Sequence, residues 1–546
     1  MKLNYKRTIL VGFAFFLISA FWQAYDSIIP LMLTNHYGLN DFWSGGVMAL
    51  DNVFAVFMLP IFGALSDKVA TKYGKRTPFI FIGTILAVVS LVILSVVDHT
   101  QHRTVTEYEL DGPAYEEATK LNTEVDKLFL TYGTEDETVV EIAENEKKAL
   151  IDLFAAKDIP SQYEAVDAFR DEAYKLMKEA RSTENKELIE TADAQLTSVD
   201  TLMRNISETT YGVTKANPTS LILFIVMLLF VLLSMATFRS PAVALMPDVT
   251  VKPLRSKGNA IINLMGTAGG IIILLFGKIF GTSRIYMSYV GYFIAVAAVM
   301  LIALAVFIFT VKENKWANEM VEDTKKYGIE ENEAEAPTQK RKLSKPERIS
   351  LILILASVAL WYIGYNSITS KYSVYATREL GFDYSMTLLI AQAAAVVAYI
   401  PVGIVSSKIG RRKAILAGVL MLTAAFACGH FITPITPEFI MYPIFILAGI
   451  GWATINVNSF PMVVELAKGS DTGKYTGYYY TASMAAQIVA PLLSGALYVA
   501  FGMRNVFFVF GAIFVALSFV TMFFVKHGDA KPEKQSALEA LGGADD

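Results

Sequence analysis

Across 546 residues, 54% are hydrophobic and only 18% are charged, with a mean hydropathy of +0.44. That is too apolar for an ordinary water-soluble protein of this length. The formal net charge is −4 and the one cysteine is Cys428, so an intrachain disulfide and a thiolate-built metal site are excluded, and neither a cofactor nor a nucleic-acid partner is expected.

Apolar runs long enough to cross about 30 Å of hydrocarbon recur along the whole chain: 8–34, 42–66, 78–97, 218–246, 258–281, 286–311, 349–370, 384–406, 414–433, 437–464, 474–500 and 503–526. These spacings predict an all-α membrane protein of twelve transmembrane helices. The expected blocks are 1–98 (spans one to three), an insertion at 99–216, 217–311 (spans four to six), a linker at 312–348, 349–526 (spans seven to twelve) and a tail at 527–546.

Span one runs past Asp26 without a small-residue cleavage site and reads as a retained helix. Ser19, Gln23, Asp26, Ser27 and Pro30 form a polar stripe along it. Span two places Asp51 and Asn52 inside an apolar run, where an acid needs an interior partner or a wet cavity. Asp26 lies about nine residues before the loop at 35–41 and Asp51 about ten after it, which sets both at one depth. Two carboxylates in a low-dielectric site favour a shared proton, the chemistry of proton coupling. Asp51 with Asn52 alternatively offers hard oxygen ligands to sodium. The plainer reading of Asp51 is a fixed hydrogen bond that holds the bundle together.

The insertion at 99–216 holds 26 Asp and Glu against 13 Lys and Arg, which leaves the remainder of the chain net basic. Its Ala, Glu, Lys and Leu at helical spacing predict a small helical domain, with breaks at "DGP" (111–113) and "KDIPS" (157–161). It reads either as a cap over the external entrance or as a solvated appendage. In span four, Arg239 lies well inside the helix, poised to neutralise an acid, grip a substrate oxygen or snorkel to the interface.

Polar side chains then line one face after another. Span five offers Asn263 and span seven Tyr362, Tyr365 and Asn366. Span eight offers Gln392, span ten Asn456 and Asn458, and span eleven Tyr479 and Gln487. With Gln23 and Asn52, this excess of amides and phenols over charges suits a neutral polyol, although polar side chains also glue membrane helices together. Tyr372, at a span end, reads as part of an interfacial belt.

Lys and Arg cluster on alternate loops, which puts both termini and the basic loops in the cytoplasm. The two halves also echo each other. "GALSDKVATKYGKR" (63–76) after span two matches "GIVSSKIGRRK" (403–413) after span eight, and Asp248 with Arg255 after span four matches Glu465 after span ten. Two six-helix halves joined by a charged linker are the layout of a rocking transporter. Gly63, Asp67, Gly74, Arg76, Asp248, Arg255, Arg411 and Glu465 are then expected to form a cytoplasmic gate closed by salt bridges.

The stretches "ALDN" (49–52), "GALSDKVATKYGKRTPFI" (63–80), "FRSPAVALMPDVT" (238–250), "RSKGNAIINLMG" (255–266), "GWATINVNSFPMVVELA" (451–467) and "YTGYYYTASMAAQIVAPLLSG" (475–495) resemble the major facilitator superfamily. Within it they resemble the sucrose/proton symporters and the wider glycoside–pentoside–hexuronide:cation symporters. The resemblance covers all twelve spans and leaves out 99–216. It implies uptake of a sugar or glycoside driven by a cation gradient. Two pseudo-symmetric six-helix bundles working by alternating access, a monomer in a cell membrane, and Asp26, Asp51 and Arg239 as coupling residues are expected alongside it. Plant sucrose symporters carry an arginine in span four at the position of Val243 here; Arg239 stands one helical turn earlier on the same face. An exporter on the same fold, or a receptor sensing through 99–216, remain alternatives. An enzyme is not expected, since no Walker loop, Cys/His metal set or nucleophile motif occurs.

Overall fold

Asn4 and Asn40 show how the first two helices begin: each side-chain oxygen accepts a hydrogen bond from the backbone N–H three residues on, at 3.2 and 3.0 Å, as an N-cap does. The computed structural model describes residues 3–109, 158–251, 254–326, 344–466 and 472–527. The "DGP" break, most of the linker, the tail beyond 527 and the side chain of Glu465 lie outside the described residues.

Helices account for nearly all of the fold. The first bundle comprises α1 (Tyr5–Leu31), α2 (Asp41–Lys68) and α3 (Thr77–Thr106), and then α6 (Thr219–Val249), α7 (Arg255–Phe280) and α8 (Val290–Thr310). Between its two parts stand α4 (Ile159–Ser182) and α5 (Lys186–Ala216), a helical hairpin; Asp158 of "KDIPS" caps α4 by accepting from the Ser161 N–H at 2.9 Å. A helix inside the linker, α9 (Glu313–Lys326), precedes the second bundle. That bundle comprises α10 (Lys345–Thr369), α11 (Tyr384–Ile409), α12 (Arg411–His430), α13 (Met441–Glu465), α14 (Thr472–Phe501) and α15 (Met503–Phe523). Eleven of the described helices are long and apolar enough to cross a membrane, and α11 carries a shorter apolar run, Tyr384–Tyr399. This is a multi-pass membrane protein.

Packing repeats from one bundle to the other. In the first, α1 packs on α7 and α8, α3 on α6 and α8, and α2 on α6; in the second, α10 packs on α14 and α15, α12 on α13 and α15, and α11 on α13. The bundles meet where α2 crosses α14 and α7 crosses α11, which are the same two positions exchanged by a pseudo-twofold. Each bundle also ends its first helix in a π turn, Met32–His36 after α1 and Tyr375–Leu380 beyond α10.

Among the described residues, contacts that join the bundles gather toward one end, called the hairpin end because α4 and α5 sit there. At the α2/α14 crossing, a Cβ on Gly45 would overlap the Pro491 carbonyl, and one on Gly495 would overlap that of Asp41. Only glycine permits so close an approach. Lys371, fully buried on the second bundle, donates to Asp41 at 3.1 Å and to Ser44 at 2.7 Å on the first. At the α7/α11 crossing, the Thr282 and Tyr384 hydroxyls lie 2.6 Å apart, and Ser283 donates to Asp383 at 2.8 Å. A buried lysine satisfied by a carboxylate and a hydroxyl closes the hairpin end more specifically than apolar packing can, since a misplaced amine would be left uncompensated.

Candidate functional site

A cavity of about 700 Å³ lies between the bundles and collects most of the polar residues singled out in the sequence. Gln23, Asp26, Asp51, Asn52, Arg239 and Asn263 line it from the first bundle. Tyr362, Tyr365, Asn366, Gln392, Asn456, Tyr479 and Gln487 line it from the second. A separate apolar crevice between α11, α12 and α13 is lined mostly by Ala, Val, Ile and Leu, with Ser406 and Thr454 its polar residues.

Asp26, Asp51 and Arg239 come from three different helices and meet on the wall of this one cavity. The Asp26 side chain is exposed to the cavity. Asp51 accepts the Asn52 side-chain amide at 2.7 Å, so Asn52 fixes one carboxylate oxygen. Arg239 lies 5.3 Å over the Trp22 ring, a cation–π arrangement that holds its guanidinium beside the acids. Val243 also lines the cavity, so Arg239 and the position matching the plant arginine share this face.

Aromatic faces dominate the opposite wall. Tyr365 stacks on Trp452 with ring centroids 3.6 Å apart, and Tyr362 meets the same indole edge-on at 5.4 Å. Asn366 donates back to the Tyr362 carbonyl at 2.9 Å, which leaves its own oxygen as an acceptor. Asn263 has a buried side-chain N–H₂ with no hydrogen-bond partner, the kind of orphan that a ligand oxygen satisfies. Across the middle, the Gln392 amide donates to Gln23, whose own amide donates to Ser27 at 3.0 Å.

Several expectations are corrected. Asn458 is not among the cavity residues: it is buried and its amide bonds the Thr454 carbonyl of its own helix at 2.8 Å. Asn456 and Asn458 are two positions apart on a helix that turns about 100° per residue, so they cannot share a face. Tyr372 is no interfacial residue; it is fully buried, its hydroxyl lies 2.7 Å from that of Thr387, and it borders the cavity. Tyr479 lines the cavity, but its hydroxyl is already engaged with Ser459 at 3.0 Å. Trp22 and Trp452 were missed, because a lone tryptophan in an apolar run reads as core.

The expected gate residues fall into separate groups. Arg76 pairs with Asp67, Ser66 and, at 2.8 Å, Asp248, all within the first bundle. Burial works against its charge, but its bonds to Asp248 and Asp67, with the charge of each, more than compensate and hold its pKa above the ordinary arginine value. Glu313 of α9 accepts from the backbone N–H groups of Lys75, Arg76 and Thr77 at 2.6, 2.9 and 2.8 Å. Gly74, at φ +122°, leaves room for that carboxylate. Gly63 approaches Ser240 within the same bundle, and Arg255 donates to the carbonyls of Thr250 and Pro247, both at 3.1 Å. Arg411 opens α12 in the other bundle. The Arg76 network therefore clamps the linker helix to the first bundle, and among the described residues it does not bridge the two.

Comparison with known proteins agrees with this architecture. The family model described as Major Facilitator Superfamily matches residues 207–481 and 392–543, and that described as MFS/sugar transport protein matches 10–101. Among solved structures, the chain is similar to the inward-open xylose transporter XylE from E. coli at 10% identity, with a TM-score of 0.56 over 98% of this chain and 99% of that one. It is also similar to a D-xylose-proton symporter at 11% identity, with a TM-score of 0.51 over 96% and 99%. A POT family transporter in complex with 5-aminolevulinic acid matches at 9% identity, with a TM-score of 0.55 over 94% and 95%. Matched by family model over half its length and by fold over nearly all of it, the chain belongs to the Major Facilitator Superfamily of membrane transporters.

Proposed function

We propose that this transporter imports a sugar or glycoside by symport with a cation, a proton in the first instance, in the manner of the sucrose/proton and glycoside–pentoside–hexuronide symporters it resembles. The observation that carries this reading is the meeting of two acids and one arginine with an amide and aromatic wall in one cavity. Two carboxylates and one guanidinium sum to −1, which one bound proton or sodium ion neutralises. A neutral polyol adds no charge, so the loaded cavity can be occluded without burying an uncompensated ion. The Tyr362, Tyr365 and Trp452 rings offer apolar faces to the C–H surface of a pyranose, while Asn263, Asn366 and Gln487 offer bonds to its hydroxyls.

The positive-inside rule puts the basic loops in the cytoplasm, so the closed hairpin end faces outward. Asp26 and Asp51 take the cation when the hairpin end opens and release it on the other side. With Arg239 offsetting one of the two acids, the expected stoichiometry is one cation per solute.

The test is internal pH in proteoliposomes while neutral sugars and glycosides are added outside. Acidification with one compound, lost in Asp51→Asn, supports proton symport. Uptake of the same compound that needs sodium and leaves pH unmoved makes Asp51 a cation ligand instead. No response to any sugar under either gradient overturns the reading.

A further inference from the structure

The α4–α5 hairpin touches the two bundles through unlike surfaces. Toward its own bundle the contact is mainly apolar: Val105 at the end of α3 joins Ile159, Val166, Phe169, Leu202 and Ile206 in one buried cluster, with Ile285 and Tyr286 of the α7–α8 loop packed against it. The close approach of Ser207 and Thr210 to Gly38, and the 3.0 Å bond from Thr214 to the Tyr37 carbonyl, seat α5 further. α5 passes into α6 through Asn217 and Pro218 alone, so the hairpin moves with the first bundle.

Toward the second bundle the contact is polar. The buried Arg170 guanidinium donates to the Arg378 carbonyl in the π turn beyond α10, and Arg378 in return donates to Ser207 at 2.8 Å. Arg504, at the start of α15, lies 4.6 Å over the Tyr174 ring. Glu379 sits within the charge field of Arg170, Arg378 and Arg504.

Apolar interfaces are typical of permanent contacts, and polar, charged ones of contacts that come apart, because released ions and amides are rehydrated whereas released apolar surface is not. We propose that the α4–α5 hairpin is a releasable strap across the outer end: fixed to the first bundle, it grips the second at Arg378 and Arg504, and it must let go each time that end opens. The inference rests on the alternating-access reading above but needs no knowledge of the substrate. It gives the insertion a function in setting the balance between outward-closed and outward-open states.

The measurement is the distance between spin labels at Trp43→Cys and Phe439→Cys, one exposed site on each bundle at this end, in a Cys428→Ser background in lipid nanodiscs. Arg170→Ala with Arg504→Ala should raise the population at the longer distance by about tenfold. Lys175→Ala, which removes an exposed cation paired with Glu172 of the same helix, should leave the distribution unchanged. Should the double variant lose the folded hairpin, Ser207→Ala with Arg504→Lys cuts the same grip more gently and is read the same way. Each comparison is repeated with Lys371→Met, so that the buried latch does not mask the strap. Distances unmoved by strap variants in both backgrounds overturn the proposal. Absence of sugar flux in the unmodified protein would count against the import reading alone.

Discussion

The two bundles share a skeleton and divide the chemistry. Helix for helix they pack alike, yet the charged groups of the cavity, Asp26, Asp51 and Arg239, belong to the first bundle, and its broad aromatic wall, Tyr362, Tyr365 and Trp452, belongs to the second. Pseudo-symmetry is thus a property of packing surfaces, which tolerate any side chain of suitable volume. The cavity face of each helix is under no such constraint and has taken a different task in each half. On the proposed function, the first bundle handles the cation and the second the solute, so each task should be separately removable.

The largest effect is expected from Asp51→Asn. The substitution keeps shape and hydrogen bonding to Asn52 but removes the charge that a cation must balance. Gradient-driven accumulation should fall to the equilibrium level, while solute binding, measured by calorimetry on the purified protein, should change by no more than about threefold. A comparable loss of binding would erase the division between bundles. Trp452→Ala should do the reverse. Losing the stacked indole should cost about tenfold in affinity, in line with about 1.5 kcal/mol for an aromatic contact beyond its buried area. The proton-to-solute ratio in flux measurements should stay the same, and a changed ratio would place Trp452 in coupling.

Much of this was legible in the chain. The helices fall within a few residues of the apolar runs, because a bilayer demands length and apolarity from each span independently of its neighbours. The largest deviation is α3, which runs to Thr106, well past the apolar run ending near 97. There Asp98 pairs with His36, and Gln101 bonds the His36 carbonyl and Thr214. A hydropathy window sees only polarity at these positions and not the partners that satisfy it. The intramembrane acids announced themselves for the opposite reason, since an unexplained charge in hydrocarbon demands a function or a partner. Lys371 escaped notice because a lysine at a span end ordinarily snorkels to water; its partner Asp41 lies in the other bundle, 330 positions away in sequence. Helical phase, likewise, decided between Asn456 and Asn458 only once neighbouring helices fixed the rotation of α13.

The smallest effect, and the sharpest test of how the two tasks are joined, is expected from Gln392→Ala. Gln392 and Gln23 form a hydrogen bond across the bundle boundary inside the cavity, and Gln23 stands one turn before Asp26 on α1. In the variant, Gln23 keeps its bond to Ser27, so the first bundle should hold its shape and the acids their cation. What is lost is a single neutral contact, which limits the change in affinity to about two- to fivefold. If this amide pair transmits occupancy of the aromatic wall to the acids, accumulation should fall by more than affinity does, with a small cation flux in the absence of solute. If Gln392 is only a wall residue, accumulation measured at saturating solute should match that of the unmodified protein, and Arg239, whose charge reaches Tyr480 of the second bundle, becomes the connection to break next.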